Sequence, residues 1–166
     1  IAGDLVDIVS KNGCLMLNVG PRANGEICEE EQDVLRKIGA WMKINGEGIY
    51  GTRCWKTFGE GPTEIPEGQF CDTARGAFTP ADVRYTCKDE YIYAFLMSAN
   101  EGLDGAHLTA LAGGDIPGEA VQVTEATVLG FEDTSVSLSL ERDALRLRFG
   151  NKVVSDYPVC VRLKIR

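Results

Sequence analysis

The spacing of hydrophobic positions changes along the chain near Trp55. Before Trp55, apolar residues recur at helical intervals or form one short continuous run, whereas after it they alternate with polar residues. A helical interval places apolar side chains on one stripe of a helix, and strict alternation places them on one face of a strand. The pattern therefore predicts a short α/β piece followed by a mainly β domain.

The α/β piece is predicted to contain a helix, a strand and a second helix. The first helix ends at Lys11–Gly13, where Asn-Gly favours a helix stop, and the second runs from Glu29 to about Asn45. Acidic residues in the first turn of the second helix suit the helix dipole. The predicted buried stripes are Ala2, Leu5, Val6 and Val9 on the first helix, and Val34, Leu35, Ile38, Trp41 and Met42 on the second.

Between the two helices, residues 14–17 are apolar at every position. A strand that is apolar on both faces is typical of a parallel sheet covered by helices on each side. Parallel neighbours need further strand and helix units, and the chain after Trp55 does not have that pattern. We therefore expect the neighbouring strands upstream of Ile1, which makes the chain a C-terminal fragment.

The second half of the chain predicts an antiparallel β-sandwich of six or so short strands. Residues 52–80 contain several Gly and Pro residues and little periodicity, so we assign them to a linker. Residues 81–166 form the sandwich, with Glu90–Ser98 as a central strand because it is apolar on both faces. The alternating positions expected to face the core are Val83, Tyr85, Cys87, Val121, Val123, Val136, Leu138, Leu140, Leu145, Leu147, Phe149, Val159, Val161, Leu163 and Ile165.

Charge and composition narrow the classes of partner. The chain has 166 residues, 44% of them hydrophobic, and a net charge of −8. An acidic surface is repelled by nucleic acid and by anionic membranes, so neither is expected as a partner. No apolar run approaches the roughly 18 residues that a membrane helix needs. Neutral ligands remain possible.

Six cysteines and a single histidine, His107, are scattered without metal-ligand spacing. We therefore expect no metal site and no cofactor. Free thiols are favoured, and a disulfide framework is the alternative. The chain has no Asn-x-Ser/Thr acceptor, which together with unpaired cysteines favours a cytoplasmic location. A signal peptide of a longer parent would lie outside this chain.

The N-terminal third resembles the α-L-fucosidases of glycoside hydrolase family 29. The resemblance runs through Leu5–Gly13, Leu15–Gly25, Ile38–Trp41, Asn45–Glu47 and Ile49–Arg53, and then Trp55. A weaker match continues in the β half at Phe78-Thr79, Val83–Thr86, Tyr93-Ala94 and Leu129-Gly130. The chain departs from the family at Cys14, where Asn is common, and at Cys28 and Cys54, where Pro is common.

The resemblance implies a division into three parts. The family has a (β/α)₈ catalytic barrel followed by a C-terminal β-sandwich. Residues 1–51 would be the C-terminal fragment of the barrel, with Leu15–Asn18 as its last strand and Glu29–Asn45 as its closing helix. Residues 52–80 would be the linker and 81–166 the sandwich. The missing N-terminal barrel of the parent would be a partner, and Trp41 and Trp55 would pack between barrel and sandwich.

The resemblance also implies an activity for the parent. Family members are exo-acting glycosidases that hydrolyse α-L-fucosides with retention, using two carboxyl groups about 5 Å apart. Both groups lie upstream of this motif in the family, so this chain contains no expected catalytic residue. We interpret Asp4, Asp7, Glu29–Glu31 and Glu47 as structural or solvated carboxylates. A fucosylated glycan would be bound by the parent.

Asn18 and Arg22 are the predicted substrate-binding residues, because sugar pockets of such barrels lie at the C-terminal ends of the strands. The alternative is structural, with Asn18 bonded to the turn backbone and Arg22 solvated. For the β half, a noncatalytic carbohydrate-binding module using Tyr91 and Tyr93 is an alternative function, and a bracing or interaction module is another. His107 is expected on the surface.

An isolated last strand would expose apolar surface. Residues from Leu5 to Asn18 are therefore expected either to fold back on the sandwich or to mediate self-association.

Overall fold

The computed structural model describes residues 1–65, 76–113 and 121–166, so Cys71 and residues 66–75 of the predicted linker lie outside the described residues. Within these described residues, two α-helices and eight strands follow one another along the chain. Their bounds are α1 Ala2–Ser10, α2 Glu29–Asn45, β1 Arg53–Glu60, β2 Val83–Lys88, β3 Tyr91–Leu96, β4 Ala99–Leu108, β5 Val123–Val128, β6 Val136–Leu140, β7 Leu145–Ser155 and β8 Val159–Ile165.

The strands form two antiparallel sheets. One has five strands in the order β1-β2-β3-β8-β5, and the other has three in the order β4-β7-β6. β3 is the middle strand of the larger sheet and pairs with β2 on one side and β8 on the other. The predicted β-sandwich is therefore confirmed, and the apolar Glu90–Ser98 segment contains its central strand.

The main core lies between the two sheets. It is built from inward residues of alternating strands, and most of the predicted core-facing positions belong to it. Tyr85, Ile92 and Leu163 from the larger sheet and Leu147 and Phe149 from the smaller one are all buried there.

The prediction of a core position was wrong for Leu140, which is 50% exposed at the end of β6, and for Cys87, which lies at the end of β2 beside the edge strand and is only partly buried.

The outer face of the larger sheet is covered by the helical piece. Ala2 and Val6 of α1 and Trp41 of α2 form a second apolar cluster with Phe95 of β3. The Trp41 ring lies 6.2 Å from the Phe95 ring, and its indole N–H donates to the Pro158 carbonyl at 2.8 Å. Trp41 therefore packs the helical piece onto the sandwich.

A 3-10 turn, Gly46–Gly48, brings the backbone after α2 against the same sheet. The Thr86 hydroxyl donates to the Gly48 carbonyl at 2.7 Å. A Cβ atom at Gly48 would lie 2.7 Å from the Phe95 ring and 3.2 Å from the Cys160 sulfur, so only glycine fits without a shift. Cys160 is fully buried, and this burial raises the pKa of its thiol.

The strand predicted at Leu15–Asn18 is not formed, which corrects that expectation. The segment between α1 and α2 has no strand assignment, and 91% of the Met16 surface is exposed. A strand needs a hydrogen-bonded neighbour, and no described part of the chain pairs with this segment. Both helices have the predicted bounds, but Val34 and Leu35 on the expected buried stripe of α2 are exposed.

Two strands were missed by the sequence pattern. The sequence predicts a linker at residues 53–60, but these residues form edge strand β1, which is bulged between Cys54 and Gly59. β4 also has register shifts where it pairs with β7. A bulge adds a residue to one strand, and this breaks the alternation on which the prediction depends.

Neither helix is long and apolar enough to cross a membrane, among the residues described.

Candidate functional site

The two predicted substrate-binding residues lie on the exposed segment between α1 and α2. Asn18 lines a depression of about 260 Å³ together with Leu17, Glu31 and Val34. Arg22 lines a separate hollow at the start of α2. The structure therefore places both residues on one surface segment but not in one pocket.

Backbone bonds shape the turn around Arg22. The Arg22 amide donates to the Glu26 carbonyl, and the Gly25 amide donates to the Arg22 carbonyl, each at 2.8 Å. Gly25 has a φ of +83°, a conformation that favours glycine. This turn leaves the Arg22 side chain exposed to solvent.

Glu31 connects the segment to α2. One carboxylate oxygen accepts the Gly20 amide at 3.3 Å. Its other oxygen is buried and has no hydrogen-bond partner among the described residues. A buried carboxylate oxygen is costly to leave unpaired, so this position favours a donor group that the described residues do not supply.

The start of the segment is held by a buried ion pair. Asp7 of α1 accepts from the Arg84 guanidinium at 2.6 Å through one oxygen and from Lys11 at 2.7 Å through the other. Arg84 is only 3% exposed, although its place in the strand alternation puts it on the face away from the sandwich core. The ion pair anchors the end of α1, immediately before the exposed segment, to strand β2.

Aromatic rings enclose the guanidinium. Arg84 lies 5.5 Å from the Phe58 ring centre and 5.2 Å from that of Phe78. Its Nη1 donates to the Val83 and Glu60 carbonyls at 3.0 and 3.3 Å. These contacts satisfy the buried cation on several sides, which is what burial of a charge requires.

Asp82 is a second buried carboxylate that sequence reasoning missed. It accepts four hydrogen bonds, from the amide and hydroxyl of both Thr63 and Thr79, at 2.7 to 2.9 Å. Burial alone would raise the pKa of Asp82, but these donors hold the pKa below its usual value. The Thr-x-x-Asp spacing of Thr79 and Asp82 was the available sequence signal.

Glu60 joins the two sheets at the end of β1. Its carboxylate accepts from the Tyr85 hydroxyl at 2.8 Å, from the Ala110 amide at 2.7 Å and from both the amide and hydroxyl of Thr109. Tyr85 is otherwise sealed in the core, and this burial raises its pKa. The Glu60 carboxylate therefore has a structural role, which is to link β1 to the turn after β4.

The carboxyl groups with a shifted pKa do not suit general acid catalysis. Among the described residues these are Asp82, Glu30 and Glu132, and each shift is downwards. Backbone hydrogen bonding is the main cause for Glu30 and Glu132. A glycosidase acid instead needs a raised pKa to remain protonated. The carboxylates described above can anchor and brace the chain.

The proposed sugar-stacking tyrosines are not open platforms. Tyr93 is buried, and the Arg162 guanidinium lies 5.4 Å from the Tyr91 ring centre. Glu47 in turn holds Arg162 through a salt bridge of 3.3 Å. The prediction that Trp55 packs between the two parts was wrong, because this partly buried ring lies 5.5 Å from the Tyr85 ring and packs against the sandwich core.

No cluster of metal ligands occurs among the described residues. His107 lies exposed on β4, as predicted. Cys14, Cys28, Cys54, Cys87 and Cys160 are free thiols.

Comparisons with known proteins agree with the sequence resemblance. A family model described as alpha-L-fucosidase matches residues 1–47. Plasma alpha-L-fucosidase from Homo sapiens is 30% identical over 158 residues, covering 93% of this chain and 28% of that protein. Tissue alpha-L-fucosidase from Rattus norvegicus is 32% identical over 104 residues, covering 62% of this chain and 19% of that protein.

Solved structures extend the similarity to the fold. Alpha-L-fucosidase isoenzyme 1 from Paenibacillus thiaminolyticus matches 98% of this chain and 33% of its own, with a TM-score of 0.68 and 28% identity. The Thermotoga maritima alpha-fucosidase matches 96% of this chain with a TM-score of 0.63, and at 23% identity it supports the fold alone. The chain spans less than a third of the curated relatives it matches at greatest length. These findings confirm the resemblance, and the chain is related to the α-L-fucosidases over part of their length.

Proposed function

We propose that this chain is the C-terminal portion of a retaining exo-α-L-fucosidase, which releases terminal α-L-fucose from glycans. In this proposal residues 1–51 are the last strand and helix of a (β/α)₈ barrel, and the sandwich braces them. The chain itself lacks the catalytic carboxylates. The missing N-terminal barrel is its partner.

The unpaired segment at Leu15–Asn18 is the observation that carries this proposal. It is apolar on both faces, yet Leu15, Met16 and Leu17 are all exposed. Exposed apolar surface of this kind marks an interaction site. Val34 and Leu35 of α2 extend the same surface, since they line one depression with Leu17. A parallel barrel strand on one side and barrel helices on the other would cover all five side chains.

The carboxylates of the chain support a noncatalytic role. Asp7, Glu60 and Asp82 are each engaged by cations or by several hydrogen-bond donors. The barrel upstream would therefore supply both the nucleophile and the acid. Asn18 and Arg22, at the end of the proposed last strand, would line the rim of its sugar pocket.

The first test measures hydrolysis of a chromogenic aryl α-L-fucoside. The purified chain is expected to be inactive, with its intact mass confirming that no longer parent is present. A chimaera is then made in which this chain replaces the matching third of the Paenibacillus thiaminolyticus enzyme, and it is expected to hydrolyse the substrate. Turnover by the isolated chain would overturn the proposal.

Variants of the chimaera test the docking surface. Met16→Asp places a charge where the barrel neighbour would lie, so it is expected to abolish activity or assembly. Val154→Asp is the matched control, because Val154 is also an exposed apolar residue but lies on the sandwich strand β7. Equal effects of the two substitutions would contradict docking at Met16.

The rim residues are tested in the same chimaera. Asn18→Ala and Arg22→Ala are expected to raise KM for the fucoside with little change in thermal stability, because both side chains are exposed. An unchanged KM would favour the structural alternative for these two residues.

A further inference from the structure

Three of the six asparagines in the chain are followed by glycine. These pairs are Asn12-Gly13 at the end of α1, Asn24-Gly25 in the turn before α2, and Asn45-Gly46 at the end of α2. Asparagine before glycine is the pair most open to spontaneous loss of ammonia, because glycine has no Cβ to shield its backbone nitrogen. The three pairs share this chemistry and differ in their surroundings.

The reaction joins the asparagine side chain to the backbone of the next residue. The glycine nitrogen bonds to the asparagine Cγ, and the side-chain nitrogen leaves as ammonia, taking the proton that the glycine nitrogen gives up. Water then adds to the cyclic imide and opens one of its two C–N bonds, which yields aspartate or isoaspartate. Ring closure therefore requires a carboxamide that is free to turn and a backbone that can rotate beside it.

The Asn45 side chain is held on both sides. It is 4% exposed, its amide group donates to the Trp41 carbonyl at 3.1 Å, and its oxygen accepts the Cys160 amide at 3.3 Å. The Gly46 amide donates to the Met42 carbonyl of α2. Releasing this carboxamide would open the packing between α2 and the larger sheet, which requires a costly opening of the fold.

The Asn24 side chain is exposed but paired. Its amide group donates to the Glu26 carboxylate at 2.7 Å, and its oxygen accepts the Glu26 amide at 3.1 Å. The Gly25 amide donates to the Arg22 carbonyl at 2.8 Å. These bonds hold the carboxamide in its turn, although each contributes only modestly in water.

The Asn12 side chain has neither restraint. It is exposed, and its carboxamide forms no hydrogen bond with any described residue. Its backbone has a φ of +63°, a left-handed conformation that residues with a Cβ adopt at a cost. Two backbone bonds hold the turn, from the Asn12 amide to Val9 and from the Gly13 amide to Ile8, each at 2.9 Å. Ring closure at Asn12 therefore requires only the end of α1 to open.

We propose that Asn12 is the site at which this chain is modified spontaneously, by loss of ammonia to give aspartate and isoaspartate. Asn24 reacts more slowly, and Asn45 is protected by the fold. The aspartate product places a negative charge at the C-terminal end of α1, where the helix dipole disfavours it. The isoaspartate product adds a carbon atom to the backbone between α1 and the exposed segment at Leu15–Asn18. The inference does not depend on the proposed function, because it uses only residues of this chain.

The test follows the three sites in the full 166-residue chain during storage in mildly alkaline buffer. Trypsin cleaves after Lys11, Arg22 and Lys43 and so places each pair in a different peptide. Mass spectrometry detects the exchange of the side-chain NH₂ for OH, and fragmentation separates Asn12 from Asn18 in the same peptide. Forms cut and uncut at Lys11 are both counted, and a freshly digested sample gives the background.

In the folded chain, Asn12 is expected to convert at least about tenfold faster than Asn45, with Asn24 between them. The same chain unfolded in guanidinium chloride is the matched control, since it keeps the three sequences and removes their surroundings. There the three sites are expected to convert at rates within about threefold of one another.

Glu26→Ala tests the restraint on Asn24, because it removes the acceptor of the Asn24 amide group. It is expected to raise the rate at Asn24 about twofold or more and to leave the rate at Asn12 unchanged. An unchanged rate at Asn24 would overturn the role given to this pairing.

Three other results would each overturn the inference as a whole. The first is a folded chain in which Asn12 converts no faster than Asn24 or Asn45. The second is an Asn12 that converts in guanidinium chloride but stays unmodified in the folded chain. The third is the same spread of rates in the folded and the unfolded chain, because the fold would then protect none of the three sites.

Discussion

A buried arginine joins the first helix to the sandwich. Arg84 is 3% exposed and lies between two phenylalanine rings, with Asp7 as its anionic partner. Charges taken out of water are stable only while they are paired, so removal of one partner costs more than the pair itself contributes.

We predict that Arg84→Met lowers the free energy of unfolding by about 3 kcal/mol, because it leaves the Asp7 carboxylate nearly buried with only Lys11 beside it. Urea denaturation measures this change. Adding Asp7→Asn to Arg84→Met is expected to recover part of the loss, since it removes the uncompensated charge. Lys37→Ala is the control, because it removes an exposed salt bridge to Asp33 and should change stability by less than about 1 kcal/mol. An Arg84→Met effect as small as that of Lys37→Ala would contradict the prediction.

The contribution of Asp82 to the free energy of unfolding depends on pH, and the direction of its pKa shift gives the sign of this dependence. Its hydrogen bonds favour the ionised form, so the pKa is lower in the folded chain than in the unfolded chain. The stabilisation is complete above the unfolded pKa of about 3.9 and is lost as the pH falls through the folded pKa. Between about pH 5 and 8 this carboxylate is therefore fully charged and fully stabilising.

We predict that Asp82→Asn costs about 2 kcal/mol at pH 7, since an amide has one acceptor oxygen for four donors. Thermal melts from pH 7 to pH 2.5 should show the difference between parent and variant shrinking below about pH 4. A difference that is constant across this range would show that the charge of Asp82 plays no part.

At the scale of elements, the contact between the Gly46–Gly48 turn and β3 fixes how the helical piece sits on the sheet. Gly48 approaches Phe95 and Cys160 so closely that a methyl group has no space, and both neighbours are fully buried. Gly39, in the middle of α2, has open space around the same position.

The two glycines give opposite predictions for the same substitution. Gly48→Ala is expected to destabilise the chain by about 1 to 3 kcal/mol, because a packed core does not accept extra volume without a shift. Gly39→Ala is expected to stabilise it by up to about 1 kcal/mol through helix propensity. Chemical denaturation of both variants measures the two values, and a stabilising Gly48→Ala would contradict the described packing.

The elements also show where the sequence is sufficient and where it is not. The end of α1 could be predicted, because Asn12 before Gly13 adopts the left-handed conformation (φ +63°) that stops a helix. At the end of α2 the expected left-handed stop at Asn45-Gly46 is not formed, since Gly46 has a φ of −63° and the chain continues into the Gly46–Gly48 turn. The bulged strands β1 and β4 could not be predicted, since their alternation is interrupted. The apolar run at Leu15–Asn18 predicts a strand, but the described residues contain no neighbouring strand with which it could form hydrogen bonds.

The candidate site was predictable only as a region. Asn18 and Arg22 could be located by resemblance, and both lie on the exposed segment. The anchor at Arg84 was not predictable, because alternation places it away from the sandwich core and gives no sign of the helix that covers it. Long-range pairs such as Asp7 with Arg84, 77 residues apart, have no local signal.

At the scale of the whole molecule, the helical piece and the sandwich share one continuous set of contacts. Trp41 bonds to the chain beside β8, and Asp7 bonds to β2. The apolar cluster under the helices is built partly from Phe95 and Met97 of the sandwich half. These shared contacts make independent unfolding of either part unfavourable.

We therefore predict a single cooperative unfolding transition. The chain has two tryptophans, one in each part, so Trp55→Phe leaves Trp41 as the fluorescent reporter of the helical piece. Trp41→Phe leaves Trp55 as the reporter of the sandwich. Within each variant, the fluorescence transition in urea should coincide with the far-ultraviolet circular dichroism transition. Separate transitions for Trp41 and for the β signal would show that the helical piece detaches first.

The thiol of Cys160 can report how often the contact between the helical piece and the larger sheet, here called the seam, opens. It lies sealed between the larger sheet and the Gly46–Gly48 turn, whereas Cys14 and Cys54 are exposed. An alkylating reagent can reach Cys160 only after the contact between the helical piece and the sheet has opened, locally or through unfolding of the whole chain, so the rate of its modification counts those openings. The same molecule thus contains fast-reacting thiols that report reagent concentration and a slow one that reports how often the seam opens.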